Sequence, residues 1–171
     1  MAEQDIRQKI ESEISRGVNT SIVALVHALV ELAQTLKASD VHVDPQQNSV
    51  RIRLRIDGVL QDETPLPKQV HAEVISRIKI LANLRTDEHQ TAQDGRFRIQ
   101  LESGPVDVRV SIVPTYYGEN AVMRLLKDQN EEYSLDSLGF SAGDREKIIK
   151  AIKYPYGMIL ATGPTGSGKT T

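Results

Sequence analysis

The chain has 171 residues, 39% of them hydrophobic, and a formal net charge of -2 at pH 7. This length allows one domain of ordinary size with further segments, and a mean hydropathy of -0.33 is typical of a soluble globular protein. The small net charge excludes a global basic field of the kind that attracts nucleic acid or an anionic membrane. The lack of cysteine in the sequence excludes disulfides and thiolate metal sites.

The first 17 residues predict a short amphipathic helix. Ile6, Ile10 and Ile14 are spaced by four, so they line one side of a helix that Gly17 ends. An apolar stripe of this kind requires a partner. Two interpretations of residues 1–17 stay open: a leader without a function, and a helix that docks on another surface.

Two further helices are predicted to supply the core. The first is capped at Asn19, Thr20 or Ser21, and the second follows the loop at Pro65 and Pro67. Their apolar residues recur at intervals of three and four residues, which is the spacing of a buried helical face. The two predicted stripes are Ile22, Leu25, Val26, Leu29, Leu32, Ala33 and Leu36, and Val70, Val74, Ile75, Ile78, Leu81 and Ala82.

Apolar and polar residues alternate both before and after the predicted helix at residues 70–82, and this alternation predicts strands. Residues 50–56 alternate between apolar residues and arginines, which places the arginines on one face of a strand. Asp57 and Gly58 follow and favour a tight hairpin turn, because both tolerate a positive φ. We expect the three arginines to pair across the sheet or to face water: they are Arg51, Arg53 and Arg55.

A second hairpin is predicted from residues 97–101 and 106–112, followed by a last strand at 121–126. Residues 93–96 (Gln-Asp-Gly-Arg) are predicted to form a turn. About five antiparallel strands with helices on one face make an α+β domain over residues 18–127. Three aspartates are expected to act in turns and caps rather than in catalysis: Asp40, Asp57 and Asp94.

The last part of the chain predicts a linker and the start of a second domain. Residues 128–140 are polar and form the linker, and a helix capped near Ser141 opens the segment 141–171. Residues 158–161 are apolar and are predicted to be a buried strand that leads into a loop. We expect residues 158–161 to be the first strand of a P-loop domain that is truncated in this sequence.

That loop matches the phosphate-binding pattern G-x-x-x-x-G-K-[ST] from Gly163 to Thr170. Its glycines let successive N–H groups point at phosphate oxygens, while Lys169 reaches the outer phosphates and the Thr170 hydroxyl binds magnesium. The pattern predicts ATP and Mg²⁺ as cofactors. The predicted nucleotide-binding residues are Gly163, Pro164, Thr165, Gly166, Ser167, Gly168, Lys169, Thr170 and Thr171.

Only three residues from Lys169 onward remain to start the helix that should follow a phosphate loop. We therefore interpret the sequence as the front piece of a larger NTPase. The 171-residue piece is expected to be inactive, with a disordered tail over 160–171.

Several segments together resemble one family. Residues 38–45 read ASDVHVDP and are similar to the ASDIHIEP signature of the type II secretion and type IV pilus assembly ATPases. The resemblance covers about residues 20–171. The segments that resemble the family's next motifs, in its order, are 53–59, 93–96, 107–111, 118–119 with 122–126, and 157–162.

The resemblance implies a PAS-like N-terminal domain before the linker and a RecA-like ATPase core after it. It also implies a homo-hexamer on the cytoplasmic face of the inner membrane, held there by partners such as an inner-membrane platform protein. Because the net charge is low, we expect no direct contact with nucleic acid. In this family, arginines of the N-terminal domain contact the γ-phosphate when the two domains close. The matching positions are Arg96 and Arg109, with Arg124 as a weaker match.

Three functions stay open at this stage. The first is a motor ATPase for type II secretion or for type IV pilus assembly and retraction. The second is a conjugation or DNA-uptake ATPase of the same superfamily. The third is a module without enzymatic activity, whose α+β domain binds a ligand or a partner. A continuation into a RecA-type domain would favour either motor over the module.

Overall fold

The computed structural model describes residues 2–126, 135 and 138–163. Contacts within it divide the chain into two compact units, Met1–Lys127 and Asp128–Thr171. Most of the predicted linker, 128–140, and the phosphate loop from residue 164 onward lie outside the described residues.

An antiparallel sheet forms the centre of the first unit. The strands lie in the order β3-β2-β1-β7-β6-β5, and β4 pairs with β2. β1 pairs with β7 although their residues Asp40 and Arg124 are 84 positions apart. The described strands are β1 (Asp40–Pro45), β2 (Ser49–Ile56), β3 (Val59–Asp62), β4 (Leu66–Pro67), β5 (Gln93–Leu101), β6 (Gly104–Thr115) and β7 (Gly118–Leu126).

Three helices cover the apolar face of this sheet and share its core: α1 (Ala2–Ser15), α2 (Ile22–Thr35) and α3 (His71–Leu81). Ser21 caps α2 by accepting a hydrogen bond from the Ala24 N–H at 3.4 Å. An α+β fold with an antiparallel sheet is therefore confirmed. Alternate residues of β1, β2, β6 and β7 enter the core, as Val41 and Val43 do on β1 and Val108 and Val110 do on β6.

The stripe of α1 is buried within the first unit. Ile6 and Ile10 belong to the same core as α2. Arg7 and Glu63 form an ion pair through two nitrogens, with NH2 to Oε1 at 2.9 Å. In this unit the apolar stripe of α1 thus has a partner in the rest of the fold.

One predicted turn is a strand. Residues 93–96 begin β5, and Gly95 pairs with Val110 of β6. The glycine is required by close packing rather than by a turn, because a Cβ at Gly95 would lie 2.6 Å from the Ala82 carbonyl oxygen. In contrast, Asp57 and Gly58 have φ values of 49° and 82°, so the predicted hairpin turn there is confirmed.

A buried ion pair joins α3 to β7. Lys79 Nζ lies 2.6 Å from Glu119 Oε1, and both side chains are almost fully buried. This contact is electrostatic rather than a well-directed hydrogen bond of the carboxylate oxygen. Lys79 also donates to the Glu88 carbonyl at 2.6 Å, and His89 Nδ1 lies 2.8 Å from Glu119 Oε2. The pair therefore fixes the loop that leads into β5.

The second unit contains the predicted helix but not the predicted strand. α4 (Ala142–Ile152) begins at Ser141, whose hydroxyl accepts a hydrogen bond from the Asp144 N–H. Residues 157–163 form neither helix nor strand, and Met158 and Leu160 are exposed. The buried strand predicted at 158–161 is therefore wrong for this structure. A strand needs a neighbour to satisfy its backbone groups, and the described part of this unit contains no other strand.

Replacement of Lys79 with Met is expected to lower the free energy of unfolding by about 3–5 kcal/mol, because it leaves the Glu119 carboxylate buried without its counter-ion. Urea denaturation measures the loss. The double variant Lys79→Met with Glu119→Leu is the control and should recover much of the stability. A loss below about 1 kcal/mol in the single variant would contradict a structural role for the pair.

Stability should also fall as the pH is lowered through 6.5. Burial holds the pKa of His71 below its ordinary value of 6.5, and nearby Lys68 lowers it further, although a hydrogen bond to the Glu119 carbonyl opposes this. The unfolded chain then takes up the proton first, so stability is present above 6.5 and is lost below it. Thermal unfolding from about pH 7 to about pH 5.5 should show a flatter profile for His71→Gln than for wild type.

A residual slope in His71→Gln is expected from His42, whose pKa is also lowered, mainly by burial. Equal slopes in wild type and His71→Gln would show that His71 does not carry the effect.

Candidate anion-binding site

The face of the sheet that the helices leave open carries a dense set of arginines, which we term the arginine face. Strand alternation places them there, since their neighbours along each strand point into the core. The members are Arg51, Arg53, Arg55, Arg96, Arg98, Arg109 and Arg124.

The three arginines of β2 are neutralised by aspartates of neighbouring strands. Arg51 binds Asp62 through two nitrogens, at 2.7 and 2.8 Å. Arg53 Nε donates to Asp44 at 2.7 Å. Arg55 Nε lies 3.3 Å from an oxygen of Asp40. The expectation that these arginines pair across the sheet is confirmed.

Three other arginines are direct cross-strand neighbours. Arg96 of β5 pairs with Arg109 of β6, Arg109 with Arg124 of β7, and Arg124 with Asp40 of β1. We term Arg96, Arg109 and Arg124 the arginine row. Like charges directly opposite each other destabilise a sheet. Within the row, Asp40 offers its negative charge only to Arg124.

The other two members of the row have no counter-ion in the described part of the chain. Arg96 and Arg109 are exposed and make no hydrogen bond or ion pair there. They border an open cavity of about 430 Å³ together with Arg98 and Asp107. The row thus presents two guanidinium groups on adjacent strands to solvent.

The nearest carboxylate is already occupied. Asp107 accepts two hydrogen bonds from Arg98, at 2.7 and 2.5 Å. The hydrogen bond from Arg98 is the main reason that the pKa of Asp107 lies below its ordinary value, and the charge of Arg96 contributes less. Asp107 therefore stays ionised but is directed to Arg98 rather than to the row.

An arrangement of this kind can bind an oxyanion. Each guanidinium offers several N–H donors in a planar fork that matches the oxygens of a phosphate or carboxylate. Two neighbouring guanidinium groups without counter-ions can together neutralise a group that carries two negative charges. The first residues of β5 hold Arg96 in place, because Gln93 donates to the Glu88 carbonyl at 3.2 Å and Gly95 packs against Ala82.

Of the predicted phosphate loop, the structure describes only Gly163. Pro164 to Thr171, including Lys169 and the predicted magnesium ligand Thr170, lie outside the described residues. Among residues 2–126, 135 and 138–163, no group of three or more His, Cys, Asp or Glu side chains is placed to hold a metal ion. The same part of the chain has no helix long and apolar enough to cross a membrane.

The prediction for two of the three aspartates is wrong. Asp94 lies within β5 and Asp40 within β1, where it is buried between arginines, while Asp57 is in a turn as predicted. The sequence analysis also missed the buried Lys79. The available signal was its position between Ile78 and Ile80 in an apolar helix, but only the fold shows that Glu119 faces it.

Comparison with known proteins identifies the family. A family model described as "Type II/IV secretion system protein" matches residues 17–171. The chain therefore belongs to the type II/IV secretion system protein family. The resemblance based on the ASDVHVDP segment and the motifs after it is confirmed.

Two relatives show the extent of the similarity. The type II secretion system protein HxcR of Pseudomonas aeruginosa is 42% identical over 150 residues, which cover 88% of this chain and 32% of that protein. The type IV pilus assembly ATPase PilB of Myxococcus xanthus is 41% identical over 165 residues, which cover 96% of this chain and 29% of that protein. The chain spans about a third of the length of these relatives.

A solved structure, that of the Legionella pneumophila ATPase DotB, is similar with a TM-score of 0.41 and 18% identity, over 83% of this chain and 37% of that one.

The unpaired charges of the row predict an unusual effect on stability. Arg109→Gln should leave the free energy of unfolding unchanged or raise it by about 0.2–1 kcal/mol, because it removes a repulsion between neighbouring strands. Chemical denaturation at low salt measures this change. Arg53→Gln is the matched control, and it should destabilise the chain because it removes the partner of Asp44.

The same variants test the anion site directly. Inorganic triphosphate should raise the melting temperature of the wild-type chain and of Arg53→Gln. It should have little effect on Arg96→Gln with Arg109→Gln. A clear loss of stability in Arg109→Gln, or an equal shift by triphosphate in all variants, would contradict an anion site at the row.

Proposed function

We propose that this chain is the N-terminal part of a motor ATPase that uses ATP hydrolysis to drive type II secretion or the assembly or retraction of type IV pili. Membership of the type II/IV secretion system protein family supports this proposal, as does the similarity to the secretion system protein HxcR and to the pilus assembly ATPase PilB. The structural observation that carries it is the pair Arg96 and Arg109, which lie on the open face of the sheet and have no counter-ion among the residues that the structure describes.

In this proposal Arg96 and Arg109 contact the γ-phosphate of ATP. A phosphate at this position would satisfy the two guanidinium groups and remove the repulsion between them. The cavity beside them is open to solvent and is bordered by three arginines, so a negatively charged group can enter it. The residues of this chain thus fit the outer phosphate of a nucleotide.

The phosphate loop is proposed to hold the rest of the triphosphate. Its backbone N–H groups and Lys169 would bind the outer phosphates, and Thr170 would contribute its hydroxyl to Mg²⁺. Bound magnesium would neutralise charge on the phosphates. The assignment of these roles rests on the sequence pattern of residues 163–170.

The two arginines give such a motor a sensor for the state of its nucleotide. Their attraction to the nucleotide depends on the γ-phosphate, so it is lost when that group is cleaved and released. Hydrolysis would then free the N-terminal domain from the nucleotide. This coupling converts one chemical step into a domain movement.

The remaining parts of the proposal concern the longer protein. The first unit corresponds to a PAS-like domain over residues 18–127, and residues 141–171 correspond to the start of a RecA-like domain. The parent is proposed to act as a hexamer on the cytoplasmic side of the inner membrane, bound to a platform protein. Ile152, Met158 and Leu160 are exposed in this structure, which suits apolar residues of a larger core. We expect the 171-residue chain alone not to hydrolyse ATP.

Magnesium-dependent ATP hydrolysis by the full-length parent tests the proposal. Arg96→Ala and Arg109→Ala should each lower kcat by roughly 10³-fold or more, the size of effect known for arginines that stabilise a transferred phosphoryl group. Circular dichroism and thermal unfolding should show that both variants stay folded.

Arg51→Ala is the matched control, since Arg51 lies on the same face of the sheet but is bound to Asp62. It should keep the hydrolysis rate of the wild type. Full activity of Arg96→Ala and Arg109→Ala would show that neither arginine contributes to hydrolysis. The nucleotide role of the N-terminal domain would then be wrong.

A further inference from the structure

The third member of the arginine row is held differently from the other two. Arg124 Nε donates a hydrogen bond of 2.8 Å to Asp40 Oδ1. Asp40 Oδ2 accepts from the Ser39 hydroxyl at 2.8 Å and lies 3.3 Å from Arg55 Nε. Asp40 is 4% exposed, so this carboxylate is a fixed point between β7 and β2.

The contact uses only the inner nitrogen of Arg124. Its two terminal nitrogens make no hydrogen bond within the described residues, and 66% of the side chain is exposed. The guanidinium is planar and rigid, so a bond through Nε fixes its plane while the outer edge stays available. Arg51 and Arg53 contrast with this, because each contacts its aspartate through Nε and NH2 together.

The charges of this group also leave Arg124 attractive to an anion. Asp40 carries one negative charge and shares it between Arg55 and Arg124. Burial by itself would raise the pKa of Asp40, but the hydrogen bonds from Arg124 and Ser39 outweigh it and the pKa lies below its usual value. The carboxylate is thus ionised at neutral pH, and the trio keeps one net positive charge.

We infer that Asp40 is a positioning residue for the arginine row. It anchors Arg124 through Nε so that the terminal nitrogens of Arg124 join Arg96 and Arg109 in contacting the same phosphate. The inference rests on the proposed function and adds a buried carboxylate that acts through Arg124 and does not touch the nucleotide.

The kinetic test uses the full-length protein and a double-mutant cycle. Asp40→Asn keeps the shape of the side chain and removes its charge. It should lower kcat for ATP about tenfold, and Arg124→Ala should lower it by a similar factor, as expected for the loss of one charge-assisted contact. The double variant should be no slower than either single variant, because both changes remove the same contact.

Asp44→Asn is the matched control for Asp40→Asn. Asp44 is also a buried carboxylate on the same face of β1, but its arginine partner is Arg53, which is not in the row. Asp44→Asn should lower the melting temperature without the loss in kcat. The inference is overturned if both variants have the same kcat, or if the effects of Asp40→Asn and Arg124→Ala multiply.

A second measurement follows Arg124 itself in the 171-residue chain, by nitrogen-15 NMR of the arginine Nε–H groups. In the wild type the Arg124 Nε–H should exchange slowly with water, and it should exchange several-fold faster in Asp40→Asn but not in Asp44→Asn. An unchanged rate in Asp40→Asn would overturn the anchoring. This result needs no nucleotide, so it holds even where a full-length variant fails to fold.

The two proposals fail in different ways. Full hydrolysis by Arg96→Ala and Arg109→Ala would overturn the proposed function and this inference with it. Loss of hydrolysis in those variants, with equal rates in Asp40→Asn and Asp44→Asn, would overturn only the role of Asp40.

Discussion

The structure depends on a sheet with two very different faces. One face supplies the core beneath α1, α2 and α3, and the other carries seven arginines. Counter-ions placed among the arginines offset the repulsion that such a density of like charge produces. The aspartates of β1 and β3 do this for β2, whereas no carboxylate among the described residues does it for Arg96 and Arg109. The uncompensated part of the face is therefore the part that is available to a ligand.

The position of β1 explains this division. β1 lies between β2 and β7, so Asp40 and Asp44 both stand next to the arginines of β2. β5 and β6 lie further from β1, beyond β7. A carboxylate on β1 reaches Arg124 but not the next two members of the row. Strand order thus separates the arginines of β2, each of which has an aspartate partner, from Arg96 and Arg109, which the aspartates of β1 do not reach.

The buried pair of Lys79 and Glu119 connects the core to this face. Glu119 precedes the part of β7 that contains Arg124, and Lys79 also binds the carbonyl of Glu88 in the loop before β5. Gly95 then lets β5 approach the end of α3 closely. Groups far from the open face therefore set where its arginines lie. Such strongly anchored surroundings suit a site whose arginines must stay in place without counter-ions of their own.

Local sequence patterns were enough to predict most of the helices and strands and the faces that they bury. Apolar residues at intervals of three and four predicted α2 and α3, and alternating apolar and polar residues predicted strands. Asp57 and Gly58 predicted a turn. Each of these patterns depends only on residues that are close together in the chain. The family and the phosphate-loop pattern could be recognised for the same reason. The fold was needed to show which arginines are neutralised and that residues 93–96 form a strand. Those facts depend on the pairing of β1 with β7 and of β5 with β6, and on the packing of Gly95 against Ala82. Such contacts join distant parts of the chain, and no local pattern specifies them.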